Sequence, residues 1–355
     1  MRHARSRAAG AGPGRRARRQ AAALNATVLH PFEALTPDFI LAAIEGQGFV
    51  TDGRLLALNS YENRVYQVGI EDGEPLIAKF YRPLRWSDAA LREEHEFTFD
   101  LARQGLPVVA PLGDEPRRSL RHTGDFHFAL FPRRGGRAPD LDRREVLVTM
   151  GRVLARMHTV GFGRPFRHRP AIDVQHFGVE SVDYVLAHCL PADLRPAYES
   201  LARDLLALCR ERFAHCEGVA WRRVHGDCHG GNLLWRNDAP HFVDFDDARM
   251  APAVQDVWML LSGHPEEQRV QLAAVLEGYH EFADFDLREL SLIEPLRTLR
   301  MLHYAAWLGR RWDDPAFPLA FPWFNTQAYW ERHVLELREQ FAALSEPLWA
   351  ADLLH

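Results

Sequence analysis

The sequence predicts an α+β chain of two lobes: a small antiparallel β-sheet lobe with one helix, packed on a larger helical lobe. Three observations predict it. Short apolar runs separated by turn-forming clusters, such as Glu71-Asp72-Gly73-Glu74, crowd the first third of the chain. Helical spacing of apolar residues dominates after Asp142, apart from short apolar runs between Arg223 and Asp247. The 355 residues, 47% of them hydrophobic, exceed one minimal core and suit one large two-lobed domain.

The first twenty residues are rich in arginine. Arg2, Arg5, Arg7, Arg15, Arg16, Arg18 and Arg19 precede any acid, so the rest is more acidic than the net charge of −5. Residues 1–24 are Ala/Gly/Arg-rich, cannot bury a core, and are expected to be a disordered basic tail. An acidic body argues against dedicated nucleic-acid binding. No apolar run reaches bilayer length, and no apolar core follows the basic start as a secretory signal requires. A cytoplasmic monomer is expected, with Cys189, Cys209, Cys216 and Cys228 reduced.

The sheet lobe is expected over 25–131. Thr36 is a candidate N-cap for a helix to Gly46, with Pro37 at its first position and Ile40, Leu41 and Ile44 on one face. Strands are expected at Arg54–Asn59, Arg64–Ile70 and Pro75–Tyr81, then at Val108–Leu112 and Phe126–Phe131. Ser87 caps a helix to Arg103; Leu91, Phe97 and Leu101 set its buried face, and Glu94 lies on or beside it, with Glu93 as a competitor. Pro132–Gly136 breaks the pattern and marks the boundary to the helical lobe, 132–355. There, Leu147–His158 and Pro196–Phe213 are amphipathic, and the aromatic stretch Trp312–Trp330 is expected to be core rather than a ligand cage.

One composition fact singles out a residue. Of 43 basic residues, 42 are arginine and one is lysine, Lys79, inside the apolar run Leu76–Phe80. A lone lysine in such a chain marks a site where a compact ammonium serves and a planar guanidinium does not.

The chemistry concentrates in Val224-His225-Gly226-Asp227-Cys228-His229-Gly230-Gly231-Asn232, followed by a strand and Asp244-Phe245-Asp246. Phosphoryl transfer from ATP needs a carboxylate facing the acceptor hydroxyl, an oxygen ligand for Mg²⁺, and a second carboxylate bridging that metal. Asp227 and Asn232 share one loop, and a strand pair flanking it would return Asp244 beside them. These are hard oxygen donors, as Mg²⁺ prefers.

This segment resembles the catalytic loop of the aminoglycoside phosphotransferase and choline kinase branch of the protein-kinase-like superfamily. Asp244-Phe245-Asp246 stands where protein kinases carry Asp-Phe-Gly. The strings Leu58–Gln67, Lys79–Pro83, Asp246–Arg249 and Pro252–Asp256 resemble the Ser/Thr protein kinases of bacterial stress response within that branch. The resemblance spans nearly everything after about residue 28 and implies a two-lobed protein-kinase-like fold. It implies Asp227 as catalytic base, Asn232 and Asp244 as Mg²⁺ ligands, and Lys79 on the ATP α/β-phosphates, paired with Glu94. It places Ser60 in the phosphate-covering loop, Asp256 as a brace of the catalytic loop, and Leu130–Pro132 as the hinge that meets adenine. It implies protein Ser/Thr substrates, the chain itself among the candidates. A small-molecule kinase for an amino alcohol, sugar or aminoglycoside shares all this chemistry. A nucleotide-binding scaffold without catalysis is the third reading, and the complete Lys79, Asp227, Asn232 and Asp244 set argues against it. Two departures stand out: no G-x-G-x-x-G, for which Ser60 and Asn63 are possible substitute donors, and Asp246 in place of glycine, which disfavours a flip of that segment.

Overall fold

The structure is a computed structural model that describes residues 30–113 and 115–346. The expected tail over 1–24 lies outside the described residues. One five-stranded antiparallel sheet forms the first lobe, in the order β1-β2-β3-β5-β4. Its strands are β1 (Thr51–Ala57), β2 (Arg64–Ile70), β3 (Leu76–Phe80), β4 (Arg121–Thr123) and β5 (Phe126–Pro132). The Pro37–Glu45 helix closes one face, with Thr36 accepting from the Phe39 amide and Pro37 at the first turn. Ile40 and Ile44 pack there against Phe80, Phe126 and Phe128.

The expected strand over Val108–Leu112 is not a strand. It makes one parallel bridge, Val108 to Phe242, and a bond from the Leu112 amide to the Leu130 carbonyl. Pro107 and Pro111 lack the donors a ladder needs, so this segment runs as a tie between the lobes.

The Asp88–Arg103 helix starts at Ser87, whose hydroxyl accepts from the Ala90 amide at 3.2 Å. Its far end belongs to the second lobe: Phe97 and Leu101 join the large core. A helix anchored in one lobe therefore carries Glu94 towards a strand of the other.

That large core is built by the helices Arg144–Phe162, Glu180–His188, Arg195–His215, Pro265–His280, Ile293–Arg310 and Gln327–Ser345. Two short antiparallel ribbons sit on it. One pairs β6 (Arg222–Val224) with β9 (Arg249–Ala251); the other is the hairpin of β7 (Leu233–Arg236) and β8 (Ala239–Phe242). The hairpin is the strand pair expected from sequence, and it sets Asn232 and Asp244 at its two ends. Phe317, Phe324 and Trp330 are core, as expected, but Trp323 is exposed and Phe321 reaches the interlobe cleft.

Ion pairs also cross between the lobes. Asp314 receives Arg64 at 2.8 Å and Arg82 at 2.7 Å, and Arg311 lies 3.0 Å from Glu62. The strand that follows the loop over 58–63, and the loop itself, are thus tied to the end of the helical lobe.

Candidate active site

A cleft of about 790 Å³ between the lobes is lined by Ser60, Lys79, Glu94, Asp227, Asn232 and Asp244. All six site residues expected from sequence therefore meet in one place.

Lys79 is carried by β3 with its Nζ buried in the cleft wall. Nζ lies 2.7 Å from Asp244 Oδ1 and 3.6 Å from both Glu94 Oε1 and Asp246 Oδ1. Burial works against its charge, but Asp244, Asp246 and Glu94 outweigh that and hold its pKa well above the ordinary lysine value. Glu94, not Glu93, is the partner: Glu93 turns away to accept the amides of Arg167 and His168.

Sequence reasoning missed the other half of this network. Arg169 donates at 2.8 Å to Glu94 Oε2, and to the carbonyls of Ala90, Asp246 and Ala248. Its guanidinium is fully buried and locks Glu94 to the 244–248 segment. Arg85 pairs with Asp246 and, at 2.6 Å, with Asp247. Asn63, expected as a phosphate donor, is 2% exposed; it donates to Asp246 at 3.1 Å and accepts from the Arg82 amide. Its polar groups are thus spent inside the protein. Ser60 Oγ donates to the Asn63 carbonyl at 3.2 Å and is the polar side chain of this pair left facing the cleft.

The catalytic-loop candidate is held from beneath. Both oxygens of the buried Asp256 accept amides at 2.8 Å, from His225 and Gly226. His225 donates through Nε2 to the Val243 carbonyl at 2.9 Å, stitching the loop to the end of β8. Gly226 has φ +82°, and a Cβ there would meet the Asp247 carbonyl at 2.2 Å. Only glycine fits that position. Asp244 is also left-handed, at φ 60°, a costly region for a side-chain-bearing residue. The turn aims its carboxylate at Lys79. Cys228 is fully buried beneath the loop, where burial pushes its thiol pKa up and keeps it inert.

Asp227 faces the cleft from the opposite side. Its Oδ2 accepts from Asn232 Nδ2 at 3.2 Å and lies 3.3 Å from His229 Nε2. Its Oδ1 lies 2.7 Å from Nη2 of Arg300, a second residue the sequence did not reveal. Burial raises its pKa, but His229, Arg300 and His225 prevail and hold it well below the usual carboxylate range.

The donor set fits a hard divalent cation. Asn232 uses its Nδ2 on the Asp227 carbonyl and carboxylate, at 2.9 and 3.2 Å, which leaves its Oδ1 unpartnered among the described residues. Asp244 is 48% exposed, and Lys79 engages only its Oδ1. Two oxygens at the ends of one hairpin thus remain for a metal.

Residues 54–293 match the model of the phosphotransferase enzyme family. The chain is 44% identical over 317 residues to the serine/threonine protein kinase RdoA of Salmonella typhimurium, covering 89% of this chain and 95% of the relative. It is equally similar, over the same shares, to stress response kinase A of Escherichia coli K12. Among solved structures, the amicoumacin kinase hAmiN in complex with AMP-PNP, Ca²⁺ and Ami superposes with a TM-score of 0.67 at 17% identity, over 89% of this chain and 96% of that one. A microcompartment-associated aminopropanol kinase gives 0.62 at 18%, over 86% and 96%. Those two likenesses concern the fold. The chain belongs to the phosphotransferase enzyme family, as a homologue of the serine/threonine stress response kinases.

Proposed function

We propose that this protein transfers the γ-phosphoryl group of ATP to Ser and Thr hydroxyls of proteins, with Mg²⁺ held by Asn232 and Asp244. The observation that carries the reading is the convergence of Lys79, Asp227, Asn232 and Asp244 on one cleft. Lys79, fixed by Glu94, places its point charge on the α/β-phosphates. Ser60 covers the phosphates from the loop over 58–63, and Leu130–Pro132 receives adenine. When bound, Mg²⁺ spreads the charge of the phosphates and helps align them. Asp227 orients the acceptor hydroxyl and takes its proton as the new O–P bond forms and the β–γ bridge breaks, releasing ADP. A carboxylate that stays ionised is always ready to accept that bond. It contributes both by positioning the hydroxyl and by accepting its proton.

The identity of 44% to a named serine/threonine protein kinase supports a protein acceptor over a small molecule. The reading implies a cytoplasmic protein, because ATP is its phosphoryl donor. The test is incubation with γ-labelled ATP, with and without Mg²⁺, alone and then with protein, peptide, amino alcohol and sugar acceptors. Mg²⁺-dependent label on Ser or Thr is expected. Label confined to a small molecule would overturn the protein-kinase reading.

A further inference from the structure

Both oxygens of Asp227 have a close neighbour. Asn232 and His229 cover Oδ2, and Arg300 covers Oδ1. Oδ1 still has acceptor capacity but is buried beneath Arg300, so a hydroxyl reaches it only when that side chain moves aside. Asn232 is fixed by a second bond to the loop, from its Nδ2 to the Asp227 carbonyl. Arg300 is different. Its side chain is 38% exposed, and Asp227 is its one ion-pair or hydrogen-bond partner among the described residues. Although Nη2 comes within 2.7 Å, Oδ1 receives no aligned hydrogen bond and is a buried polar atom without a directed partner. The contact is a charge contact that a better anion can draw away.

Arg300 stands on the face of the Ile293–Arg310 helix that also carries His303, Tyr304 and Trp307 into the cleft. Tyr304 stacks on Trp307, and Tyr61 and Trp307 meet Phe321, giving an aromatic wall beside the cation. Such a wall suits a peptide, and equally a quaternary ammonium. Charge separates the two. Of the acids lining the cleft, Glu62 is held by Arg82, Arg311 and Trp307, and Asp247 by Arg85. Glu94 and Asp246 are buried in the Lys79 network. Asp244 keeps a free oxygen, the one assigned above to the metal; the other acids named are paired among the described residues, whereas Arg300 has only its undirected Asp227 contact to give up for an anionic acceptor.

We propose that the acceptor is a Ser/Thr peptide bearing an acidic side chain beside the hydroxyl residue, and that Arg300 reads this acid and in doing so uncovers Oδ1 of Asp227. This deepens the protein-kinase reading and rests on it. Arg300 is the specificity residue; Asp227 remains the group that meets the hydroxyl.

The experiment uses the full chain, Mg²⁺ and ATP, and three peptides that differ only in the residue flanking one serine: Glu, Gln or Lys. An amino alcohol and a sugar complete the acceptor panel. The wild type should favour the Glu peptide over the Lys peptide by about tenfold or more in kcat/KM. Arg300→Glu should invert that order, and Arg300→Gln should level it, with thermal melts confirming that both variants fold. Equal wild-type rates on the three peptides would overturn the proposal, as would an Arg300→Glu variant that slows all three by one factor and keeps their order. Both results leave the protein-kinase reading standing. Phosphorylation of the small hydroxyl compounds alone would remove that reading and this proposal together.

Discussion

The two ends of the cleft hold charge in opposite ways. At the nucleotide end, Lys79 is 5% exposed, and its ammonium meets three carboxylates. Two of these are secured again, Glu94 by Arg169 and Asp246 by Arg85 and Asn63. Removing the Lys79 contact leaves Glu94 and Asp246 another partner. At the acceptor end, Asp227 depends on Asn232, His229 and one half-exposed arginine. The closed end suits a ligand whose triphosphate never varies. The open end suits acceptors that must enter, react and leave. Rigidity lies where the ligand is constant, and exchangeable contacts lie where it changes.

The sharpest way to break this contrast is Asp227→Asn. The amide keeps the shape but neither takes the proton nor pairs with Arg300. Turnover should fall by about 10²–10⁴-fold, while calorimetric binding of a non-hydrolysable ATP analogue stays close to wild type. If analogue binding falls with turnover, the two ends are not separate.

Arg169→Met attacks the closed end. It leaves the buried Glu94 carboxylate with Lys79 and a 3.4 Å bond from the Tyr81 hydroxyl, and strips a donor from three carbonyls. A loss of about 3–5 kcal/mol is expected in urea unfolding, with kcat lowered as Glu94 loosens. A variant as stable as wild type would show that the second layer of pairing is ornamental.

Lys79→Arg tests whether the closed end needs a point charge. Asp244 and Glu94 flank Nζ, and a guanidinium fork would bridge them and crowd out the phosphates. It should be nearly as harmful as Lys79→Ala, with kcat down more than about tenfold, or about 1.4 kcal/mol in the barrier. A milder loss in steady-state kinetics would reduce the lone lysine to an accident of composition.

The smallest effect is in pH. Burial, then the Lys79 and Arg169 cations, lower the His95 pKa to about 3; burial lowers His303 to about 3 and His333 to about 4. These rings stay neutral in the fold, while unfolded histidine takes a proton below about pH 6.5. Their stabilisation is complete above about 6.5 and is lost as pH falls, by about 1.4 kcal/mol per unit and ring. Glu289, pushed up to about 7 chiefly by burial, works in the other direction between about 4.5 and 7. Burial also shifts His158 down and Glu94 up, so four rings stand against two carboxyls and the melting temperature should drop from pH 7 to pH 5. A rise would mean that the histidines are not buried neutral.

Local chemistry was enough for much of the site. Asp227, Asn232 and Asp244 are close in sequence and joined by one hairpin, so spacing alone brings them together. Thr36, Ser87 and Pro37 announced their helix ends because capping is local. The strand expected over Val108–Leu112 failed because its bonds go to Phe242 and Leu130, partners no local pattern names. Glu93 and Glu94 are adjacent on one helix, and only the position of β3 and of the 167–168 backbone decides which one meets Lys79.

Arg85, Arg169 and Arg300 show where sequence stops. In a chain of 42 arginines and one lysine, the bias that makes Lys79 conspicuous hides every functional arginine. Arg169 reaches Glu94 across 75 positions, and Arg300 reaches Asp227 across 73. The sequence by itself, through the resemblance its motifs carry, determined the reaction class, because phosphoryl transfer demands fixed residue types at short spacing. Only the tertiary structure decided which arginines lock the network around Lys79 and which one covers Asp227, because that choice rests on burial and long-range approach, and neither leaves a local trace.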